Sequence, residues 1–311
     1  MALKSLKEMA AQEDGLSSGH RMCAGCGEPI AVRQILHAAA DYPVVVANAT
    51  GCLEVATSIY PFTAWRVPWI HSAFENASTT VAGAEAMYRS LVRQGKLAET
   101  NTKFIAFGGD GGTYDIGFQW LSGCLERGHR MLYVCLNNEA YMNTGIQRSS
   151  ATPMGASTTT SPAGEVIPGK LQWRKPLTAI VAAHKIPYVA QGSPAMWRDL
   201  MTKTQKALAA DGPSFMNVLT PCPRGWRHDS EDTIEISRLS VDTCMWPLYE
   251  VDHGVWRLTY KPKEKKPVQA WVESQGRFRH LLQPEFRYVI DQIQAKVDEE
   301  WAELLKLCGE A

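Results

Sequence analysis

Along the middle of the chain, short apolar runs closed by glycine, asparagine or proline alternate with longer stretches whose apolar residues recur at helical spacing. The runs at 42–48, 103–109, 131–137, 186–191 and 214–219 carry apolar side chains at consecutive positions, which predicts strands buried on both faces. Between them, the segments 28–40, 78–94, 115–128, 175–184 and 194–210 have the length and period of helices. Strand and helix in alternation predict an α/β fold, a mostly parallel sheet with helices on both faces. Three regions depart from this rhythm. The stretch Tyr60 to Trp69 is aromatic without either period and reads as an irregular surface segment suited to a partner. The segment 145–175 is rich in Ser, Thr, Pro and Gly and too long for an ordinary connection, so it reads as a functional lid. Beyond Trp226 the pattern turns polar, with a charged run at 260–267 and a last helix at about 284–307. The expected division is an α/β domain over 1–225 and an extension over 226–311. Such an arm packs either on other subunits or on its own chain as a self-contained helix.

Composition narrows the class. A chain of 311 residues with 45% hydrophobic and 21% charged residues can bury a sizeable core. Lys and Arg total 32, as do Asp and Glu, so the charge balance favours neither nucleic acid nor an anionic membrane. The amino-terminal residues, Met1 to Gly15, read as a short polar helix rather than a signal peptide. No apolar run reaches the roughly 18 to 20 residues that span a bilayer. These features predict a cytoplasmic protein. In that compartment eight cysteines point to metal or redox chemistry rather than disulfides.

Two groups of residues carry candidate chemistry. Lys103-Phe-Ile-Ala-Phe-Gly-Gly-Asp110 is a buried strand ending in glycines, where a backbone can approach a phosphate closely. Asn138 follows Asp110 by 28 positions, at the end of the next apolar run. A carboxylate and an amide oxygen at successive strand ends suit Mg2+, which takes hard oxygen ligands and keeps phosphate oxygens in its octahedron. In open α/β sheets, ligands bind at such strand ends. The second group comprises Cys23, Cys26, Cys52 and Cys222, all in Gly- or Pro-rich loops. Cys124 and Cys135 lie within apolar patterns and read as packing residues, and Cys244 and Cys308 have no local partner. One Cys-x-x-Cys pair with two distant cysteines fits either a structural zinc or an iron-sulfur cluster. The single close pair and the Cys222-Pro223 dipeptide lean towards a 4Fe-4S cluster.

Asp110-Gly111 after Gly109, with Asn137-Asn138 beyond, resembles the GDG…NN signature of thiamine diphosphate (TPP) binding. In order and spacing, Ser18-Gly-His-Arg-Met-Cys-Ala-Gly-Cys26, Thr50-Gly-Cys-Leu-Glu54, Trp65-Arg-Val-Pro-Trp-Ile-His71, Phe74-Glu-Asn-Ala77, Tyr114-Asp-Ile-Gly117, Asn137-Asn-Glu-Ala-Tyr-Met-Asn143 and Pro221-Cys-Pro-Arg-Gly-Trp226 resemble the blocks of one family over nearly the whole length. That family is the TPP-binding beta subunits of 2-oxoacid:ferredoxin oxidoreductases, the group containing pyruvate synthase and oxalate oxidoreductase. The resemblance implies a TPP-binding fold in which Gly109, Asp110, Gly111 and Gly112 line the cofactor. It also implies Mg2+ on Asp110, the Asn138 side chain and the Ala140 carbonyl, with Asn143 near the diphosphate. Cys23, Cys26, Cys52 and Cys222 become ligands of the 4Fe-4S cluster nearest TPP. The implied activity is oxidative decarboxylation of a small 2-oxoacid, pyruvate or oxalate, in anaerobic metabolism, with electrons passing singly to ferredoxin. The implied partners are an alpha subunit, further subunits and ferredoxin, with coenzyme A wherever an acyl acceptor is needed. The glutamate that activates the aminopyrimidine is expected on the alpha subunit; in this chain Glu54 and Glu75 are candidates only by proximity. His71 reads as a structural histidine. Gly112 departs from the bulky residue of many pyruvate enzymes, implying extra room beside the diphosphate. Two other readings are a non-catalytic iron-sulfur electron-transfer subunit and a zinc-stapled TPP-dependent decarboxylase.

Overall fold

The computed structural model describes residues 3–310. Its eight-stranded sheet has the order β2-β1-β3-β4-β6-β5-β7-β8. The strands are β1 (Val44–Ala49), β2 (Trp69–Ser72), β3 (Lys103–Gly109), β4 (Leu132–Asn137), β5 (Tyr188–Gly192), β6 (Ser214–Leu219), β7 (Tyr249–Asp252) and β8 (Val255–Leu258). The first six run parallel, and β7 and β8 close one edge as an antiparallel hairpin. The helices are α1 (Leu6–Ala10), α2 (Gly27–Ala38), α3 (Cys52–Thr57), α4 (Ala77–Arg93), α5 (Phe118–Glu126), α6 (Leu177–Ala182), α7 (Trp197–Ala209), α8 (Thr233–Asp242), α9 (Val268–Glu273) and α10 (Arg287–Leu307).

The consecutive apolar runs have the cause expected of them. On β3, Ile105 and Phe107 pack with Ile35 of α2 and Leu200 of α7, while Phe104 and Ala106 pack on the other face with Val81 of α4 and Leu121 of α5. Both faces are dry, so every position of the strand must be apolar. Truncating Ile105 to alanine would cost about 2–5 kcal/mol.

The irregular regions depart most from expectation. The aromatic stretch holds the edge strand β2, and Trp65 is buried with its Nε1 donating to Thr57 Oγ1 at 2.9 Å. Of its aromatic residues, only Tyr60 and Phe62 stand out to solvent. Beyond Trp226 the chain supplies β7, β8, α8 and α9 as well as the last helix. It builds an apolar cluster of its own around Trp226, Trp246, Trp271 and Phe278. These strands escape a sequence reading because they are short: β8 is a half-exposed edge, and the buried β7 carries Glu250 and Asp252 in place of an apolar run. Met1 and Ala2, part of the expected amino-terminal helix, lie outside the described residues. No helix among the described residues is long and apolar enough to cross a membrane.

Candidate functional site

The chain leaves β1 towards β2 on one side and leaves β3 towards β4 on the other. The carboxyl ends of these strands therefore flank a crevice at a topological switch point, where open α/β sheets bind ligands. The loop after β1 brings Thr50, Gly51 and Cys52 to this crevice. The loop after β3 brings Gly109, Asp110 and Gly111, and the loop after β4 brings Asn138, Ala140, Tyr141 and Asn143. A Cβ at Gly109 would meet nothing within 4 Å, whereas one at Gly111 would press into the Tyr141 ring. The first of these glycines thus opens onto the crevice and the second admits the opposite wall. A single π-type turn over 111–116 follows, a feature frequent at functional sites.

Asp110 and Asn138 meet in this crevice. Both are buried, and the Asn138 backbone N–H donates to the Asp110 carboxylate. Ser149 Oγ donates to Asp110 Oδ2 at 2.5 Å, and Asn138 Nδ2 donates to Glu28 Oε1 at 2.8 Å. The remaining oxygens, Asp110 Oδ1 and Asn138 Oδ1, have no hydrogen-bond partner, and neither has Asn48 Oδ1 of the same crevice. Orphaned acceptors at such burial are costly, and a hard cation is the partner whose chemistry they fit. Burial pushes the Asp110 carboxyl well above its ordinary range, the Ser149 hydroxyl opposing and the Glu139 charge adding. A cation beside it would reverse that balance. Glu139, between Asn138 and Ala140, is held at φ 66°. Its carboxylate accepts from Arg277 Nη2 at 2.5 Å and its carbonyl from Thr152 Oγ1 at 2.6 Å.

The four loop cysteines come together from three places. Cys23 and Cys26 precede and cap α2, Cys52 opens α3, and Cys222 follows β6. Burial first, then the neighbouring Glu28 carboxylate and cysteines, raises the thiols of Cys26, Cys52 and Cys222, with Cys23 among the neighbours of Cys52 and Cys222. Their sulfurs already accept hydrogen bonds: Cys26 from the Glu28 N–H, Cys52 from the Asn143 side chain, and Cys222 from the Gly225 N–H at 3.3 Å. Thiols disfavoured as free thiolates yet supplied with N–H donors suit a group that carries positive iron. Among the described residues, no three His, Cys, Asp or Glu side chains converge as a single metal ion would require. A four-iron cluster spreads its thiolates over four irons and sets no such requirement.

Of the remaining sequence candidates, Gly112 abuts a wall of the crevice: a Cβ there would come 2.8 Å from the carbonyl of Phe74, which lines it. Its lack of a side chain therefore serves a close backbone approach and opens no extra room. Glu54 accepts from Ser58 Oγ at 3.1 Å and stands 3.8 Å from His71, whose Nε2 also meets Thr50 Oγ1 at 2.9 Å. The backbone of Glu75 packs against Gly117. Sequence reasoning overlooked Glu28, Ser149, Trp226 and Arg277. Only Glu28 leaves a visible sign, a carboxylate on an otherwise apolar helix start. Burial pushes it up to about 7, with the Asn138 amide opposing.

Comparison with known proteins agrees with this geometry. Residues 49–218 match the family described as thiamine pyrophosphate enzyme, C-terminal TPP binding domain. The chain is 52% identical to pyruvate synthase subunit PorB of Thermotoga maritima, over 97% of this chain and 94% of that protein. It is also 52% identical to PorB of Methanocaldococcus jannaschii, over 93% and 96%. Ketoisovalerate oxidoreductase subunit VorB of Pyrococcus abyssi is 40% identical over 95% and 94%. Among solved structures, the 2-oxoglutarate:ferredoxin oxidoreductase of Magnetococcus marinus superposes with a TM-score of 0.53. It is 18% identical, over 72% of this chain and 79% of that one, a likeness of fold.

Proposed function

Because the chain belongs to the TPP-binding beta subunits of the 2-oxoacid:ferredoxin oxidoreductases, we propose that it holds TPP through Mg2+ on Asp110, Asn138 and the Ala140 carbonyl, and a 4Fe-4S cluster on Cys23, Cys26, Cys52 and Cys222. The observation that carries this reading is the pair of buried, unpartnered oxygens Asp110 Oδ1 and Asn138 Oδ1 beside the cysteine loops. When bound, TPP supplies the electron sink for decarboxylating a 2-oxoacid, and the cluster supplies a one-electron acceptor on the way to ferredoxin. The chain's own part is to orient and to exclude water. Asp110 and Asn138 fix the diphosphate end. Asn143 lines the crevice beside Cys52, and Leu53, Phe74 and Leu136 give it apolar walls. With these sites on one chain, electron transfer needs no intersubunit gap.

Pyruvate is the favoured substrate over oxalate, since relatives sharing about half the sequence are named pyruvate synthase subunits and Gly112 opens no extra room. An alpha subunit, further subunits and ferredoxin complete the enzyme, with coenzyme A as acyl acceptor. The extension over 226–311 serves both its own chain and these subunits. Eight free cysteines suit a reducing, cytoplasmic setting.

The test is anaerobic purification of the native complex. Its visible spectrum is recorded with pyruvate and with oxalate, each with and without coenzyme A. A brown protein bleached by pyruvate and coenzyme A supports the reading. Bleaching by oxalate alone would change the substrate. A colourless protein that binds TPP would make the cysteines a zinc site, and a brown one without TPP affinity would make the chain an electron carrier only. Cys222→Ser should abolish ferredoxin reduction while sparing TPP binding.

A further inference from the structure

The loop after β4 touches all three loops that carry the four cysteines, each through a different atom. Asn138 Nδ2 donates to Glu28 Oε1 at 2.8 Å, and Glu28 lies two residues past Cys26, whose sulfur its own N–H reaches. The Asn138 carbonyl accepts from Trp226 Nε1 at 2.8 Å; Trp226 lies four residues past Cys222 and donates its backbone N–H to that residue's carbonyl at 2.9 Å. The Asn143 side chain donates to Cys52. The two cysteine loops are also stitched to each other, Gly27 N–H to the Pro221 carbonyl at 3.0 Å. Glu28 and Trp226 are buried, so water cannot replace either partner without opening the core. Asn138 Oδ1, buried, is left without a hydrogen-bond partner.

We propose that Asn138–Asn143 is a coupling element between the cysteine site and the metal-diphosphate clamp, with Glu28 and Trp226 as positioning residues, so that assembling the cluster raises the affinity for magnesium diphosphate. This rests on the reading of the two sites given above. Cluster ligation fixes the loops carrying Cys26, Cys52 and Cys222. Those loops fix both polar ends of Asn138, and its Oδ1 is then aimed before the cation arrives. By linkage, cofactor binding favours cluster retention by the same factor.

The experiment uses the assembled complex, cluster-loaded and after anaerobic removal of iron by a chelator. Each form is titrated with TPP at fixed Mg2+ by calorimetry, and separately with Mg2+ and inorganic pyrophosphate. The loaded form should bind about tenfold more tightly. Trp226→Phe, which keeps the ring and removes the donor, should bring the loaded form down to the iron-free affinity while the cluster spectrum persists. Glu28→Gln keeps an acceptor for Asn138 and should retain the difference; Glu28→Leu should lose it. If Trp226→Phe does not assemble a cluster, the Glu28 pair decides. Equal affinity of the two wild-type forms, or full coupling in Glu28→Leu, overturns the inference and leaves the two sites standing. Absence of magnesium-dependent TPP binding in the wild type overturns the proposed function itself.

Discussion

The two rims of the sheet make an instructive contrast. The wider cleft lies at the amino ends of the strands, between Tyr88, Arg93, Lys103, Arg130 and Asp211. Its charges meet partners there: Arg130 pairs with Asp211 at 2.8 Å, Glu85 lies between Arg89 at 2.7 Å and His129 at 3.0 Å, and Lys103 sits 4.9 Å over the Tyr42 ring. The narrower crevice at the carboxyl ends holds fewer charges, but those charges are buried and its key oxygens are unpartnered. Size points to the first rim and chemistry to the second. An exposed pair is nearly neutral in free energy, whereas a buried orphaned acceptor must be offset by something the folded chain does not itself provide.

Substitutions should widen this contrast. The largest effect is expected at Arg277, which neutralises the buried Glu139 carboxylate and lies 4.0 Å over the Trp226 ring. Arg277→Met leaves that carboxylate only Arg174, 3.9 Å away, as a counter-charge and should cost about 3 kcal/mol in urea unfolding. The double variant with Glu139→Gln should recover much of the loss; simple additivity would show that the pair is not a unit. Next comes Asp110→Asn, which removes a buried carboxylate that lacks a counter-charge. It should raise the stability of the cofactor-free chain by about 1–3 kcal/mol while abolishing magnesium-dependent TPP binding. A loss of both stability and binding would show instead that Asp110 is structural.

Lys170, buried within the segment 145–175 with its Nζ donating to the Thr152 carbonyl at 2.5 Å, offers a pH test. Burial pushes it down to about 8, the Arg148 charge adding and Glu139 opposing. Above that pH the folded chain has released a proton that the unfolded chain still binds, so folding gains stability as pH rises through the window up to the ordinary lysine value. The gain should reach about 2 kcal/mol between pH 8 and 10. Lys170→Met should flatten this part of the profile, and an unchanged slope would assign it to other groups. The smallest effect belongs to the wider cleft. Arg130→Ala should cost less than about 1 kcal/mol and leave TPP affinity unchanged; altered affinity would mean that the two rims communicate.

The central strands and their helices were legible because a strand dry on both faces must be apolar at every position, a signal that survives without neighbours. Asp110, Asn138 and the loop cysteines stood out because they are particular residue types set at strand ends and in loops. The strands β2, β7 and β8 did not: β2 and β8 are half-exposed edges, and β7, though paired on both sides, has its apolar run broken by Glu250 and Asp252. Trp65 was misjudged for a related reason: an aromatic residue in an aperiodic stretch gives no sign of which way it faces.

The sequence by itself determined the α/β order, the pair Asp110 and Asn138, and the four cysteines in loops, since each rests on local residue type and spacing. Only the tertiary structure decided that Glu28, Trp226 and Arg277 brace the loop after β4, and that Gly112 abuts the Phe74 carbonyl. Those facts depend on which side chains from distant segments share one buried, water-free volume, where an unmet hydrogen bond or charge has a cost that spacing along the chain does not express.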